Sequence, residues 1–410
     1  MKQTLAFFFG GRSVEHDVSI VTGLQAMEYA DTERYDVMPV YLARDGKWYT
    51  GARLRDVSVY ASFDPSACGA QQVRLSPTPG EGLLVKQVTT VQEGGGLFGK
   101  KESKTVVEER VQKVDVAFLC MHGVHGEDGS LQGMLEMSDI PYTSPSVGAS
   151  AAGMDKALMK KVFAGCGFPM VPGIDFTRAA WQKDPQGWQK RLEETIGYPM
   201  YVKPARLGSS IGISCVKEAD ALAAALDLAF AYDRKVVVEK GVQEPTEINC
   251  SVLGYGRDCR ASVCEKPKGW KDFLTFDDKY INGGKGKGMQ SASREIPAPI
   301  SAEMTERIQR LACNIFAEMD CKGVVRIDFL VDQSDGSLYV NEINTIPGSM
   351  AFYLWEPCGL SYAALIDELV RIALLSAKEK KENSYAYNSS ILEKVQKGGG
   401  LKGAKGAKRG

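Results

Sequence analysis

Two apolar runs in the C-terminal third, VVRIDFLV (324–331) and SLYVNEIN (337–344), are separated only by DQSDG. Apolar and polar residues alternate in both, which predicts strands with one lined face. Asp335-Gly336 is a hairpin signal. Arg326 and Asp328 are two apart and share a face, and so do Glu342 and Asn344. With the turn centred near Asp335, Asp328 lies opposite Glu342 and Arg326 opposite Asn344. Facing carboxylates repel, and a divalent cation between them removes the conflict. Asp, Glu and Asn are oxygen ligands, which suit Mg²⁺ completed by phosphates and water. Arg326 beside such an ion can stabilise a transferring phosphoryl group. The plainer alternative is a solvated strand face with one ion pair. The flanking hydrophobic strands and the following Pro347-Gly348 weigh against it.

A second constellation is YVKPARLGSSIGIS (201–214). A strand delivers Lys203 and a Gly/Ser loop follows. Gly208, Ser209, Ser210 and Gly212 can turn N–H groups and hydroxyls toward phosphate oxygens. The lysine precedes the glycines, so this is not the P-loop pattern, and alone such a turn is commonplace. In the third, VVVEKGVQEPTEINC, a buried strand ends at Glu239-Lys240-Gly241-Val242 and can present a hinge to an adenine. Glu239 or Glu247 could accept from an amino group or ribose hydroxyls, although each taken alone reads equally well as a surface glutamate. The histidines lie in glycine-associated turns, His16 in GGRSVEHDVS and His122 and His125 in MHGVHGEDGS. No HExxH or cysteine pair accompanies them, so zinc is a poor reading. No GxSxG elbow is present. Glu15 precedes a helix, where a carboxylate suits the dipole, and it could equally hold a substrate ammonium.

At about 150 residues per domain, 410 residues predict two or three domains. Fifty Lys+Arg against 51 Asp+Glu argue against a chain whose main task is phosphate neutralisation on nucleic acid. No apolar run approaches the roughly 18 residues of a membrane span. The N-terminal TLAFFF runs into Gly10-Gly11 and reads as a first strand, not a signal peptide. Ten scattered cysteines without framework spacing read as reduced thiols of a cytosolic protein. The first third alternates strands and helices, which suggests an open parallel sheet. Residues 50–112 read as strands or hairpins of an insertion, and Val147 to Gly165 as one helix. The long polar stretch from Lys268 to Ser293 reads as functional or disordered, and the tail from Glu382, basic over 396–410, as disordered.

Taken together, GGRSVEHDVS, HGVHGEDGSLQG, GMDKALMKK, VKPARLGSSIGIS, VEKG, VRIDF and NEINTIPG resemble, in order, the D-alanine–D-alanine ligases of the ATP-grasp superfamily. The resemblance implies an α/β and α+β architecture. An open parallel α/β domain (1–145, with the insertion at about 50–112) would be followed by two α+β domains (146–240 and 241–382) clamping ATP. It implies a cytoplasmic homodimer acting on small D-amino acids, with no nucleic-acid or membrane partner.

By the same resemblance, Lys156, Lys203, Ser209, Ser210, Glu239, Lys240, Val242 and Glu247 form the nucleotide set. Glu247 sits one residue further from Glu239 than the family pattern. Asp328, Glu342 and Asn344 match ligands for Mg²⁺ or Mn²⁺, as two ions, and Arg326 the transition-state arginine. Glu15 matches the residue holding the first substrate's ammonium, with Ser209 and Tyr280 as its hydrogen-bonded partners. His122 matches the histidine near the first carboxylate. Lys279 and Tyr280, in FDDKY, resemble a loop that closes over the site and excludes water. After NEINTIPG the chain departs from the pattern, reading SMAFYLWEP. Tyr353 takes the place of a serine that helps bind the second carboxylate, while Leu354 matches. This leaves D-serine, D-lactate or another small D-amino acid open as second substrate. The implied chemistry is an acyl phosphate made from ATP and attacked by an amine, with Gly348 and Arg326 stabilising the oxyanion. A nucleotide-binding protein without catalysis is the rival from a different class, and the intact Arg326, Asp328, Glu342 and Asn344 speak against it.

Overall fold

The computed structural model describes residues 2–93, 102–267, 294–387 and 389–393, with only the backbone given for 88–93 and 102–107. The stretch 268–293, with Lys279 and Tyr280, lies outside the described residues, and so does the basic tail from 394 onward.

Three sheets carry the chain. The first contains β1 (Gln3–Gly10), β2 (Tyr35–Leu42), β3 (Trp48–Thr50), β4 (Gln71–Leu75), β5 (Leu83–Glu93), β6 (Glu102–Gln112) and β7 (Val116–Leu119). Their order is β6-β5-β4-β3-β2-β1-β7. Only β1 pairs in parallel, with β2 and β7; every other pair is antiparallel. The expected open parallel sheet is thus a mixed one. The crossover through α1 (His16–Tyr29) makes β1 and β2 parallel, whereas the short links 43–47 and 76–82 turn β3 against β2 and β5 against β4, and the longer stretch 51–70 returns β4 antiparallel to β3. The residues read as an insertion extend that edge. β1 is buried from Leu5 onward, as a strand covered on both faces must be.

α2 (Ser130–Met137) follows β7, and the single helix expected over 147–165 is two, α3 (Val147–Met154) and α4 (Lys156–Gly165). Asp155 between them is extended, and its carboxylate caps the second by accepting from the N–H groups of Ala157 and Leu158. A local side-chain bond outcompeted helix continuation, and the break re-aims Lys156.

The second sheet, order β10-β9-β11-β8, is built from β8 (Gly173–Thr177), β9 (Met200–Pro204), β10 (Ser214–Val216) and β11 (Lys235–Lys240). α5 (Arg178–Lys183), α6 (Pro185–Thr195) and α7 (Leu222–Tyr232) accompany it, around a small core of its own. The third, order β14-β13-β12-β15-β16, contains β12 (Pro245–Tyr255), β13 (Asp258–Pro267), β14 (Arg294–Glu295), β15 (Lys322–Asp332) and β16 (Leu338–Asn344). α8 (Ala302–Glu318) covers one face with Ile308, Ala312, Ile315 and Phe316, all fully buried and on one helical stripe. A short α9 (Phe352–Trp355) and the long α10 (Tyr362–Lys380) complete the chain. One apolar core runs from the first sheet past α10 to the third, through Phe118, Leu369, Val324 and Trp355.

Candidate active site

The hairpin register is the one its sequence predicts. Asp328 pairs with Glu342 and Arg326 with Asn344, and a bulge follows Asp328. Extending the row across the sheet, Asp328 faces Asn249 on β12, and Asn249 faces Glu265 on β13. One face of the sheet therefore carries Glu265, Asn249, Asp328 and Glu342 in line.

Side chains already meet much of the carboxylate conflict. Arg326 grips Asp328 with two parallel bonds, Nε at 2.6 Å and Nη2 at 2.7 Å, and Asn344 Nδ2 donates to the same carboxylate at 2.9 Å. Glu342 meets Lys156 Nζ at 3.1 Å. An ion is thus not the sole remedy for the facing acids, contrary to the expectation from sequence. Among the described residues no three acidic, His or Cys side chains converge as a cation cage. The donor set nonetheless fits a hard cation. Burial pushes the Asp328 carboxyl up to about 6 against the pull of Arg326, and Glu247 and Glu342 add repulsion. Added positive charge there relieves both.

Lys203 Nζ lies 2.6 Å from Glu239 Oε2, and Lys160 Nζ 2.7 Å from Oε1. Burial raises the Glu239 carboxyl, but the two ammoniums outweigh it and hold the group at about 2. Glu239 thus orients two lysines, a role its sequence context did not reveal. Lys160 lies one helical turn after Lys156, which is the only local signal it left. The N–H groups of Lys240 and Gly241 go to Pro172 O at 2.9 Å and Pro199 O at 2.8 Å. Val242 follows them at the end of this crossing. Lys156 also donates to Leu207 O at 3.0 Å.

Glu15, 7 % exposed, accepts from the Ser209 hydroxyl across 194 residues. Ser209 and Ser210 both have left-handed φ, 53° and 58°. A Cβ on Gly208 would stand 2.8 Å from a Glu15 oxygen, so a side chain there would displace the carboxylate from the loop. Arg12, Ser13 and Glu15 open onto a cavity of about 480 Å³ that Leu207 and Tyr232 also line. His122 is buried between Thr22 Oγ1 at 2.8 Å and Ile346 O at 2.9 Å. Burial lowers it to about 4, which keeps the ring neutral. Both ring nitrogens are engaged, so it braces the site walls. Glu127, absent from the sequence expectations, accepts from Gly123 N–H and Ile346 N–H and sits close enough to Glu15 to feel its charge. Its signal was the HGEDGS turn itself.

Gly348 opens the turn after β16. Leu354 is fully buried and Tyr353 is 8 % exposed, its hydroxyl donating to Glu265 Oε1 at 3.1 Å. The site therefore joins loops of all three sheets into one cluster of cations, carboxylates and free-standing turns. That cluster can grip a polyphosphate and hold a zwitterion beside it.

The family model described as "D-ala D-ala ligase N-terminus" matches residues 4–145, and "D-ala D-ala ligase C-terminus" matches 162–371. The chain is 35 % identical over 396 residues to the D-alanine–D-alanine ligase of Thermosipho africanus, covering 96 % of this chain and 99 % of that one. It is 37 % identical over 388 residues to that of Bacillus cytotoxicus, covering 94 % and 99 %. Among solved structures, the D-alanine–D-alanine ligase of Coxiella burnetii superposes with a TM-score of 0.72 at 26 % identity, covering 93 % and 96 %. The VanG D-Ala:D-Ser ligase of Enterococcus faecalis superposes at 0.73 with 28 % identity, covering 91 % and 100 %.

Proposed function

The chain belongs to the D-alanine–D-alanine ligase family, ATP-dependent enzymes of the ATP-grasp fold, and we propose that it joins two D-alanines at the site described above. The product, D-alanyl-D-alanine, serves peptidoglycan precursor synthesis. The observation that carries this reading is that the loop after β1 meets the loop after β9 through Glu15–Ser209, while Lys156 at the start of α4 meets Glu342 on the third sheet, next to the Arg326–Asp328 pair of β15.

A carboxylate is a poor acyl donor because its charge is delocalised. Phosphorylation by ATP makes an acyl phosphate with a good leaving group, and the second amine then displaces phosphate. Lys156 and Lys203 would bind the phosphates, with Glu239, Lys240, Val242 and Glu247 along the nucleoside. Ser210 would offer its hydroxyl to the phosphate chain, while the Ser209 hydroxyl stays on Glu15. Glu15, fixed by Ser209, would hold the first ammonium, which places the first carboxylate for attack. Arg326, pre-oriented by Asp328, needs no reorganisation to meet charge growing on the transferring oxygens. The Gly348 N–H would be offered to the tetrahedral oxyanion, since those of Ser349 and Met350 are spent on Thr22 Oγ1 and Pro347 O.

Asp328, Glu342 and Asn344 would hold the divalent cation that the family uses, read here as two Mg²⁺ or Mn²⁺. Such ions, when bound, neutralise phosphate charge and align the triphosphate. No helix among the described residues is long and apolar enough to cross a membrane. A cytoplasmic homodimer is the expected form, and light scattering at working concentration checks the dimer.

A second reading, D-alanine–D-serine ligation, draws support from Tyr353 and from the likeness to the VanG ligase. Phosphate release with ATP, magnesium and D-alanine tests the ligase reading. Mass spectrometry of products from D-alanine with D-serine or D-lactate ranks second substrates. Release that stays at background with every small D-amino acid would overturn the proposal in favour of a binding protein.

A further inference from the structure

Tyr353 is delivered by an unusual turn. Ser349, Met350 and Ala351 all have left-handed φ, 49°, 55° and 50°. For residues with a Cβ this conformation is costly, and such runs persist where the surrounding structure over-determines them. The turn is pinned to α1, with Ser349 N–H donating to Thr22 Oγ1 at 3.2 Å and Ser349 Oγ to Gln25 Oε1 at 2.5 Å.

The phenol so delivered meets a buried polar cluster at the end of the Glu342–Asp328–Asn249–Glu265 row. Its hydroxyl is committed to Glu265, which is 2 % exposed. The Arg294 guanidinium lies over its ring, 4.0 Å from the centroid, and Arg294 Nη1 donates to Glu265 Oε2 at 3.2 Å. Both members of the pair feel the charge of Arg326. A guanidinium has five donors. Arg326 spends Nε and Nη2 on Asp328, whereas Arg294 gives one N–H to a carboxylate among the described residues. Next to Glu265, Asn249 is 3 % exposed, donates through Nδ2 at 3.3 Å, and has no partner for Oδ1 among the described residues. The cluster thus presents cationic donors beside an unspent buried acceptor, which matches the two ends of an amino acid zwitterion.

We propose that Arg294, seated on Tyr353 and anchored by Glu265, binds the carboxylate of the second amino acid, and that the Tyr353 ring limits that substrate to a small side chain. This deepens the ligase reading above and rests on it. A carboxylate takes charge-assisted donors, and Arg offers them in a planar fork. The Tyr353 hydroxyl, committed to Glu265, acts by holding Arg294, so the pair replaces what a serine would do alone.

The test uses the full-length chain with ATP and magnesium. Phosphate release over a wide range of D-alanine resolves two half-saturation constants, one for each subsite. Positional oxygen exchange within labelled ATP needs only the first D-alanine and reports that subsite separately. Arg294→Met should raise the second constant about tenfold or more, the loss expected for a charged hydrogen bond. Exchange and the KM for ATP should stay within about twofold. Arg294→Lys, which keeps the ion pair and hence the fold, should recover only part of that loss. Tyr353→Ser should add turnover with a bulkier second D-amino acid such as D-valine.

A second constant unchanged in Arg294→Lys and Arg294→Met, or a parallel loss in both constants and in exchange, would show a merely structural ion pair and overturn the proposal. A wild-type chain with neither exchange nor release sinks the ligase reading itself. Wild-type turnover with indistinguishable Arg294 variants sinks only this inference.

Discussion

Glu127 accepts the backbone N–H of Ile346 at 2.9 Å, although 219 residues separate them in the chain. Its other oxygen accepts Gly123 N–H at 2.8 Å, so one carboxylate ties the turn after β7 to the turn that carries Gly348. Glu127→Ala leaves both donors without that partner and should cost about 1–3 kcal/mol, read from urea unfolding. Burial and the nearby Glu15 carboxylate push Glu127 up to about 8 from 4.5. Over that window the folded chain keeps a proton that the unfolded chain has released, so stability falls as pH rises. Glu127→Gln should flatten that slope, and an unaltered slope would refute the assignment.

Glu239 behaves in the opposite sense. Held at about 2 by Lys203 and Lys160 against burial, it contributes stability that is present above pH 4.5 and is lost as pH falls toward 2. Glu239→Gln leaves two confined ammoniums without their counter-charge. The expected cost is about 3–5 kcal/mol, with a raised KM for ATP. Acid unfolding of the variant should lose this component, and calorimetry against pH measures it.

Gly208→Ala should weaken binding of the first substrate while the fold survives. The added Cβ would stand 2.8 to 2.9 Å from both Glu15 oxygens, so the carboxylate must swing away. Gly208 lacks the positive φ that would itself exclude alanine. Half-saturation by the first D-alanine, followed by oxygen exchange in ATP, should rise about tenfold, roughly one charged hydrogen bond. An unchanged value would mean that Glu15 does not hold this substrate.

Arg326→Lys keeps the charge and loses the fork that chelates Asp328. A loss of about 10²–10³ in kcat is expected, the range for one transition-state donor. Binding of a non-hydrolysable ATP analogue, followed by calorimetry, should change little. Weakened analogue binding with kcat preserved would move Arg326 from transition-state stabiliser to simple nucleotide anchor.

Glu342→Gln removes one oxygen anion and the partner of Lys156. Turnover should nearly vanish while the thermal transition remains cooperative. Manganese titration followed by electron paramagnetic resonance should show weakened binding in the presence of an ATP analogue. Activity near the wild-type rate would remove Glu342 from the cation site.

The hairpin around Asp335 and its facing pairs are readable because what sets them is local, whereas the bulge after Asp328 is not written in the alternation. Period-two alternation chooses the faces, the turn chooses the register, and a few residues separate the partners. The apolar stripe of α8 and the buried β1 are legible for the same reason. The fate of Val147–Gly165 was harder, since composition favours one helix and only the cap at Asp155, with Lys156 N–H reaching Ala205 O at 2.8 Å, divides it. The mixed first sheet depended on how the chain returns after β2, which periodicity does not encode.

What the sequence determined by itself was the inventory and its local order: which strands carry acids, which loops are rich in glycine and serine, and which family pattern they match. Tertiary structure alone decided the partners. Glu15 meets Ser209, Lys156 meets Glu342, Glu127 meets Ile346 and Arg294 covers Tyr353 only because the sheets and the helices packed on them close on one another. The physical reason is that strand and helix periodicity is set by neighbours a few residues away. The charge, burial and hydrogen bonding of a site are set instead by groups that packing brings together from distant parts of the chain.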